Sequence, residues 1–136
     1  MTRQTSTNNL LQGSFIMTDT ENDVLSVKEL FGDEWQELSF NERVAAIAVY
    51  KLYSENKDRI RDFVKGQFQY SLYNHCHSIL DAANEYLEGA GYFNDPLVAK
   101  YFDVEAFADD WEAESRNCEV DYSDEDGDFC GWFVRD

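Results

Sequence analysis

The chain has 136 residues, is 43% hydrophobic and 15% aromatic, and carries a net charge of −17 from 28 acids against 11 bases. A chain of this size buries roughly 68–70% of its unfolded surface, enough for one domain with a real core, and its apolar content argues against disorder throughout. The charge excludes phosphate-directed nucleic-acid binding, which needs clustered Lys and Arg, and docking on anionic membranes; a partner chosen by charge must be basic.

The acids are unevenly placed. Residues 17–42 sum to −7, 43–66 to +3, 67–100 to −3 and 101–136 to −11. Adaptation to salt would spread acids more evenly, so the concentration towards one end points to a local use. No run approaches the ~20 apolar residues that span a membrane, and no signal peptide is evident. Cys76, Cys118 and Cys130 are odd in number and too few for a secreted disulfide framework. The expectation is a cytoplasmic protein.

Residues 1–16 are polar and without pattern, and Met17 opens a stretch that reads like a natural start, so 1–16 is expected to be a flexible leader before a single acidic domain over 17–136. Ser26 and Glu29 have capping-box spacing, with Leu25 and Leu30 placed for a staple, predicting a short helix over 27–31 ended by Gly32. A second short helix is expected in DEWQEL. Ser39 and Glu42 repeat the capping-box signal before FNERVAAIAVYKLY, whose wide apolar face marks a central helix. Ile60, Phe63 and Val64 predict a helix over 57–65 that stops at Lys65-Gly66.

The period then changes. Phe68, Tyr70 and Leu72 alternate with Gln69, Ser71 and Tyr73, which favours a strand over continuation of the helix. ILDAANEYL returns to helix, Asp95-Pro96 starts a short one, and Asp103 caps another over 104–114. CEVDY and FCGWFV read as strands joined by SDEDGD, with Asp126-Gly127 as the hairpin signal. The expected fold is α+β and predominantly helical. Its small antiparallel sheet has strands at 68–73, 118–122 and 129–134, the last two forming a C-terminal hairpin. The chain divides into a helical part, 24–66, and a second part, 67–136.

Motifs for catalysis or metal binding are weak. His75-Cys76-His77 lacks the paired spacing of a zinc site and reads as a strand-to-helix loop. An EF-hand alignment on Gly127 puts Tyr122 and Phe133 where oxygen ligands are required. Cys76 has flanking histidines, but sequence neighbours need not face each other. No Gly-rich phosphate loop or G-x-S-x-G occurs. The expectation is no enzyme, no catalytic residues, no cofactor and no metal. Tyr86, Tyr92 and Tyr101 are candidates for partial exposure at an interface.

The pattern over 101–114 is the most informative. On a helix, Val104, Phe107, Ala108 and Trp111 point inward, Glu105, Asp109 and Glu112 form one outer strip, and Asp103, Asp110 and Glu114 an adjacent one. Like charges four residues apart destabilise a helix, so this acidity calls for a reason. Five carboxylates between Glu105 and Glu114 at ~1.5 Å per residue give about one charge per 2.7 Å, against one per ~3.4 Å on a DNA strand. Glu119, Asp121, Asp124, Glu125, Asp126 and Asp128 continue the series. These twelve acids are the candidate partner-binding face, able to occupy a groove built for DNA; the plain alternative is a solvated surface that aids solubility.

The stretch SILDAANEYLEGAGYFNDPLVAKYFDVEAFADDWEAE resembles the C-terminal region of ArdA-type antirestriction proteins, through Ala83, Glu85, Tyr86, Leu97, Tyr101, Phe102, Asp103, Glu105, Ala106 and Phe107. The similarity is centred on 78–114. The resemblance implies an elongated acidic DNA mimic without catalytic chemistry. Such a protein binds type I restriction–modification enzymes in place of DNA, often as a homodimer. Two departures stand out. Asp109-Asp110 occupies the place of an Arg-Asp pair, and the family's N-terminal α/β module is missing or replaced. The expected function is inhibition of a host DNA-binding defence enzyme, most simply a type I restriction–modification system in a bacterial cytoplasm. The alternatives are an anti-CRISPR inhibitor covering an effector's DNA channel, and an acidic interaction module without mimicry.

Overall fold

One segment, Phe40–Tyr53, has apolar residues on nearly every side, and the other elements gather around it. The computed structural model describes residues 19–54, 56–67 and 70–135; the expected leader lies outside them. Helix α2 (Phe40–Tyr53) starts with a full capping box: Ser39 Oγ accepts from Glu42 N–H at 3.2 Å, and Glu42 Oε1 accepts from Ser39 N–H at 2.8 Å. Residues 44–49 are all buried, and Ala45, Ala46 and Ala48 let neighbouring elements approach closely.

Two helices flank α2. Helix α1 (Asp19–Phe31) begins well before the expected residue 27. Val24, Val27 and Phe31 make its inward stripe, so the apolar period carries the helix through Ser26, whose spacing to Glu29 resembles a cap but lies in the interior. Leu25 and Leu30 are exposed and form no staple against the core. Gly32, at φ 57°, ends α1 as expected. DEWQEL is a 3₁₀ turn over Gly32–Glu37 that delivers Trp35 to the core. Helix α3 (Lys57–Asp62) runs into a π turn, Phe63–Gln67, that breaks at Gly66 with φ 105°.

The sheet holds β1 (Ser71–Asn74), β2 (Arg116–Asp124) and β3 (Gly127–Arg135), all antiparallel, in the order β1-β3-β2. The hairpin strands are longer than expected at both ends. Strand β1 starts at Ser71; the expected Phe68 and Gln69 lie outside the described residues. Register pairs Cys118 with Phe133, Val120 with Gly131 and Tyr122 with Phe129, and these residues face α1–α3. Phe133 is fully buried and stacks against Tyr70 at 5.6 Å, worth about 1.5–3 kcal/mol of burial.

The opposite face of the sheet carries a second, aromatic layer. It is built from α4 (Ile79–Gly89), α5 (Pro96–Tyr101) and α6 (Val104–Glu114). Tyr73, on the outer face beside Trp132, meets Trp111 edge-on at 6.0 Å. From Trp111 a run of ring contacts continues through Tyr86, Phe107, Phe102, Tyr92 and Phe93. The architecture is therefore α+β with a small antiparallel sheet and a C-terminal hairpin.

Strand β1 passes so close to Gly131 of β3 that a Cβ there would collide with the Tyr73 carbonyl oxygen. Gly131→Ala should therefore destabilise by at least the ~1–3 kcal/mol typical of overpacking. Gly127→Ala meets only the Phe40 ring, 3.2 Å away, and should cost less. Urea midpoints of the two variants test the order.

Candidate acidic interface

Helix α6 keeps a clear inside. Ala108 is buried, and Val104, Phe107 and Trp111 are half-buried. At ~100° per residue, Glu105, Asp109 and Glu112 fall on one flank and Asp110 and Glu114 on the other. All five are exposed, as are Ala106 and Ala113 between them. The two acidic strips are thus rails on either side of an alanine ridge rather than neighbours. Asp103 stands at the head of α6 as its cap, its Oδ1 accepting from Ala106 N–H at 3.0 Å.

The electrostatics of α6 are unfavourable at its far end. Glu112 and Glu114 sit where the helix dipole favours cations, and no basic residue lies in the last turn. Packing and capping compensate. Trp111 and Phe107 contact one another at 5.7 Å, and Tyr86 stacks on Phe107 at 6.1 Å, each such pair adding about 0.5–1.5 kcal/mol. Ser115 Oγ donates to the Trp111 carbonyl at 2.6 Å and Asn117 Nδ2 to that of Glu112 at 3.3 Å, so C-terminal carbonyls find donors.

The acids of the hairpin divide. Glu119 and Asp121 on β2 and Asp128 on β3 share the outer sheet face with Trp132 and Cys130, and all three acids are exposed. Burial, Asp121 and Glu119 together raise the Cys130 thiol. Glu125, at the turn, is exposed. Asn117, which also accepts from Trp132 Nε1 at 3.2 Å, joins the end of α6 to this face.

Asp124 and Asp126 differ from these acids in being ion-paired, Asp124 largely buried and Asp126 still exposed. Arg43 Nη1 donates to Asp124 Oδ2 at 3.0 Å and to Asp126 Oδ2 at 2.7 Å, and the Asp124 side chain is only 13% exposed. The same guanidinium reaches the Trp35 carbonyl at 3.1 Å and the Gln36 carbonyl at 3.3 Å. Asp124 also accepts from the Tyr122 hydroxyl at 2.6 Å, and that hydroxyl accepts from Trp35 Nε1 at 3.3 Å. Burial by itself would raise the Asp124 carboxyl. The Tyr122 hydroxyl, the Asp126 N–H and Arg43 outweigh it and hold the group below the ordinary carboxylate range. Burial and the Asp124 carboxylate push Tyr122 up to about 12.

The hairpin turn changes with these contacts. Asp124 pairs with Gly127, leaving Glu125-Asp126 as the loop, and neither has positive φ. This is not the primed turn that Asp-Gly predicts. Instead Asp124 Oδ1 accepts from Asp126 N–H at 2.7 Å, an Asx turn fastened by Arg43. Arg43 is the residue that pattern reading missed. Its only sequence signal is a cation set against the apolar run VAAIAV.

The chain's cations mostly lie elsewhere. Glu34 accepts from Lys57 at 2.6 Å and from Arg61 at 2.9 Å; Arg61 also pairs with Asp58, and Lys65 with Glu42. Hydrogen bonds from Lys57 and Arg61 lower the Glu34 carboxyl. By contrast, Glu105, Asp109, Asp110, Glu112, Glu114, Glu119, Asp121, Glu125 and Asp128 make no ion pair among the described residues.

His75-Cys76-His77 does form the strand-to-helix loop, with His75 at φ 68° and both histidines exposed. Cys76 is buried and donates to Glu85 at 3.1 Å. Burial and that carboxylate push its thiol up to about 12, which suppresses the thiolate that a nucleophile or metal ligand requires. Among the described residues, no helix is long and apolar enough to cross a membrane. No family model matches the chain, and neither does any curated protein or solved structure.

Arg43→Ala leaves Asp124 without its buried cation and should cost about 3 kcal/mol, measured by urea unfolding. The Asp124 carboxyl is depressed on folding, so its contribution is present above the unfolded value of ~3.9 and disappears as pH falls through the lower folded value. The stability gap between wild type and Asp124→Asn should be constant near neutral pH and shrink below about pH 4. A gap independent of pH contradicts this linkage.

Proposed function

We propose that the protein is an acidic DNA mimic that inhibits a host DNA-binding defence enzyme by occupying its cationic groove, with a type I restriction–modification enzyme as the leading target. One observation carries this reading: nine exposed carboxylates on α6 and the outer hairpin face have no cation partner among the described residues, while acids near α2 and α3 are ion-paired. The unpaired acids include two at the end of α6 that the helix dipole disfavours. An ordered helix of eleven residues, about 16 Å long, presents them rigidly. Rigid presentation lowers the ordering cost of binding. The resemblance to ArdA-type proteins supports the same function, acting stoichiometrically and without cofactor.

The partner should be a protein that binds DNA through Lys and Arg, and its complex with this chain should weaken steeply as salt rises. Replacing Glu105, Asp109, Asp110, Glu112 and Glu114 by Gln or Asn should abolish inhibition of a type I methyltransferase in a DNA-modification assay, with the circular dichroism spectrum unchanged. Full inhibition by this folded variant would show that these acids serve solubility alone. Parallel assays with CRISPR effectors identify the target class.

A further inference from the structure

Strand β2, nine residues long, lies at an edge of the sheet, and among the described residues no strand pairs with its other side. It is regular: its register with β3 runs one to one from Arg116–Arg135 to Asp124–Gly127, without a bulge, and it contains no proline. The direction of its free backbone groups follows from the turn. Asp124 and Gly127 close a two-residue loop, so theirs is a hydrogen-bonded pair. The alternation of an antiparallel ladder then turns the N–H and C=O of Glu119, Asp121 and Ser123 away from β3. Two contacts agree. The Glu119 carbonyl accepts from Lys51 Nζ at 3.1 Å. The carbonyl of Cys130, opposite Asp121, turns to the other side of β3 and accepts from His75 N–H at 2.8 Å. Lys51 thus stands where the N–H of an added strand would donate, and lysine is a common guard of an open edge.

Beside the same stretch, a groove of about 280 Å³ opens between β2 and α1. Asp121, Tyr122 and Ser123 form one wall; the α1 wall is apolar at Val24 and Leu25, with Glu21 and Lys28 before and after them along the helix. A segment added to β2 would alternate its side chains between two surroundings. Those directly opposite Glu119 and Asp121 share their outer face; those between point towards α1 and the groove. The outer face is acidic. Glu119 and Asp121 are exposed, and Asp128, opposite Ser123, adds to them. The nearby cations lie off that face or at its end: Lys51 is on the Glu119 carbonyl, Lys28 lines the groove with Glu21, and Arg116 is the first residue of the strand. A second copy fits this edge badly. Two-fold antiparallel registers centred here set Asp121 against Asp121, Glu119 against Asp121, or Glu119 against Glu119, and like charges directly opposite destabilise a sheet. A basic strand reverses the sign. We propose that the edge of β2 takes an extended segment of a partner protein as a fourth strand, with Lys or Arg over Glu119 and Asp121 and an apolar side chain in the groove at Val24 and Leu25. Main-chain hydrogen bonds would supply affinity and the alternate side chains specificity. The inference stands apart from the mimicry reading, because it uses the strand edge rather than helix α6.

A capped peptide of alternating Lys and Val, about as long as β2, is the probe, with binding to the full chain followed by calorimetry and amide hydrogen exchange. It should bind and slow exchange at Asp121 and Ser123, whereas a Glu-Val peptide should not bind. The Lys residues of the added strand carry the N–H groups that face β2, so methylating those nitrogens should abolish binding, and methylating the Val nitrogens should preserve it. Ser123→Pro removes an outward N–H without touching the ladder to β3 and should abolish binding with the circular dichroism spectrum unchanged. Leu25→Asp alters only an exposed side chain of α1 and should weaken binding should Ser123→Pro fail to fold. Glu119→Gln with Asp121→Asn should weaken it about threefold or more. The five-carboxylate variant of α6 should still bind, so mimicry and the edge site can fail separately. Equal binding of the Lys-methylated peptide would overturn the proposal in favour of adhesion by charge alone, as would unchanged exchange at Asp121 and Ser123. No binding of the Lys-Val peptide would overturn it outright. A wild-type dimer that Ser123→Pro converts to monomer in sedimentation would overturn it in favour of self-pairing.

Discussion

The guanidinium of Arg43 ties the turn of the C-terminal hairpin to the helical layer, on which Val120, Tyr122 and Phe133 already pack. Burying a cation is costly unless its donors are satisfied. Here they reach two carboxylates at the hairpin turn and two carbonyls of the 3₁₀ turn, joining segments more than 80 residues apart in sequence. The contact agrees with the register that the apolar alternation of β2 sets. With Asp124 fixed beside Gly127, Cys118, Val120 and Tyr122 face the core and Glu119 and Asp121 face out. A slip of one residue would exchange the two sets. Glu119 and Asp121 therefore face out on the side of the sheet away from Arg43.

Charge is divided by location rather than by sign alone. Near α2 and α3, acids meet cations within the fold, and Arg43 extends that arrangement to the hairpin turn. Along α6 and the outer sheet face, acids accumulate and the neighbouring groups are aromatic. The aromatic layer makes this possible, because ring packing holds α6 in place without help from its surface charges. Stability of the helix and chemistry of its surface are carried by different residues of the same eleven.

Much of this arrangement was legible in the residue pattern. The capping box at Ser39 and Glu42, the apolar stripe of α2, the cap at Asp103 and the alternation of the last two strands all have local causes, and local causes survive folding. Where the pattern misled, a distant contact had overruled a local signal. Ser26 and Glu29 have the spacing of a cap, but the apolar period from Val24 extends the helix past them. Asp126-Gly127 has the composition of a primed turn, yet the Asx turn of Asp124 and the pull of Arg43 select another. Asp124 counted as open surface charge, and Asp126 as an unpaired one, because composition records a carboxylate without its partner. Nothing within a few residues of either one announces an arginine on α2.

The order of the strands has a consequence for how the chain acquires its structure. Strand β3 lies between β1 and β2 and follows both in the sequence. During synthesis it leaves the ribosome after each of its neighbours, so β1 waits without a partner while some fifty residues are added. Helices α1–α3 and α4–α6 have local contacts, but β1 and β2 are not joined into a sheet until β3 arrives. Both helical groups are present only once Glu114 has been added, so over the last stretch of elongation they wait for β3 with apolar faces exposed, a period in which the chain's negative charge keeps one copy from adhering to the next.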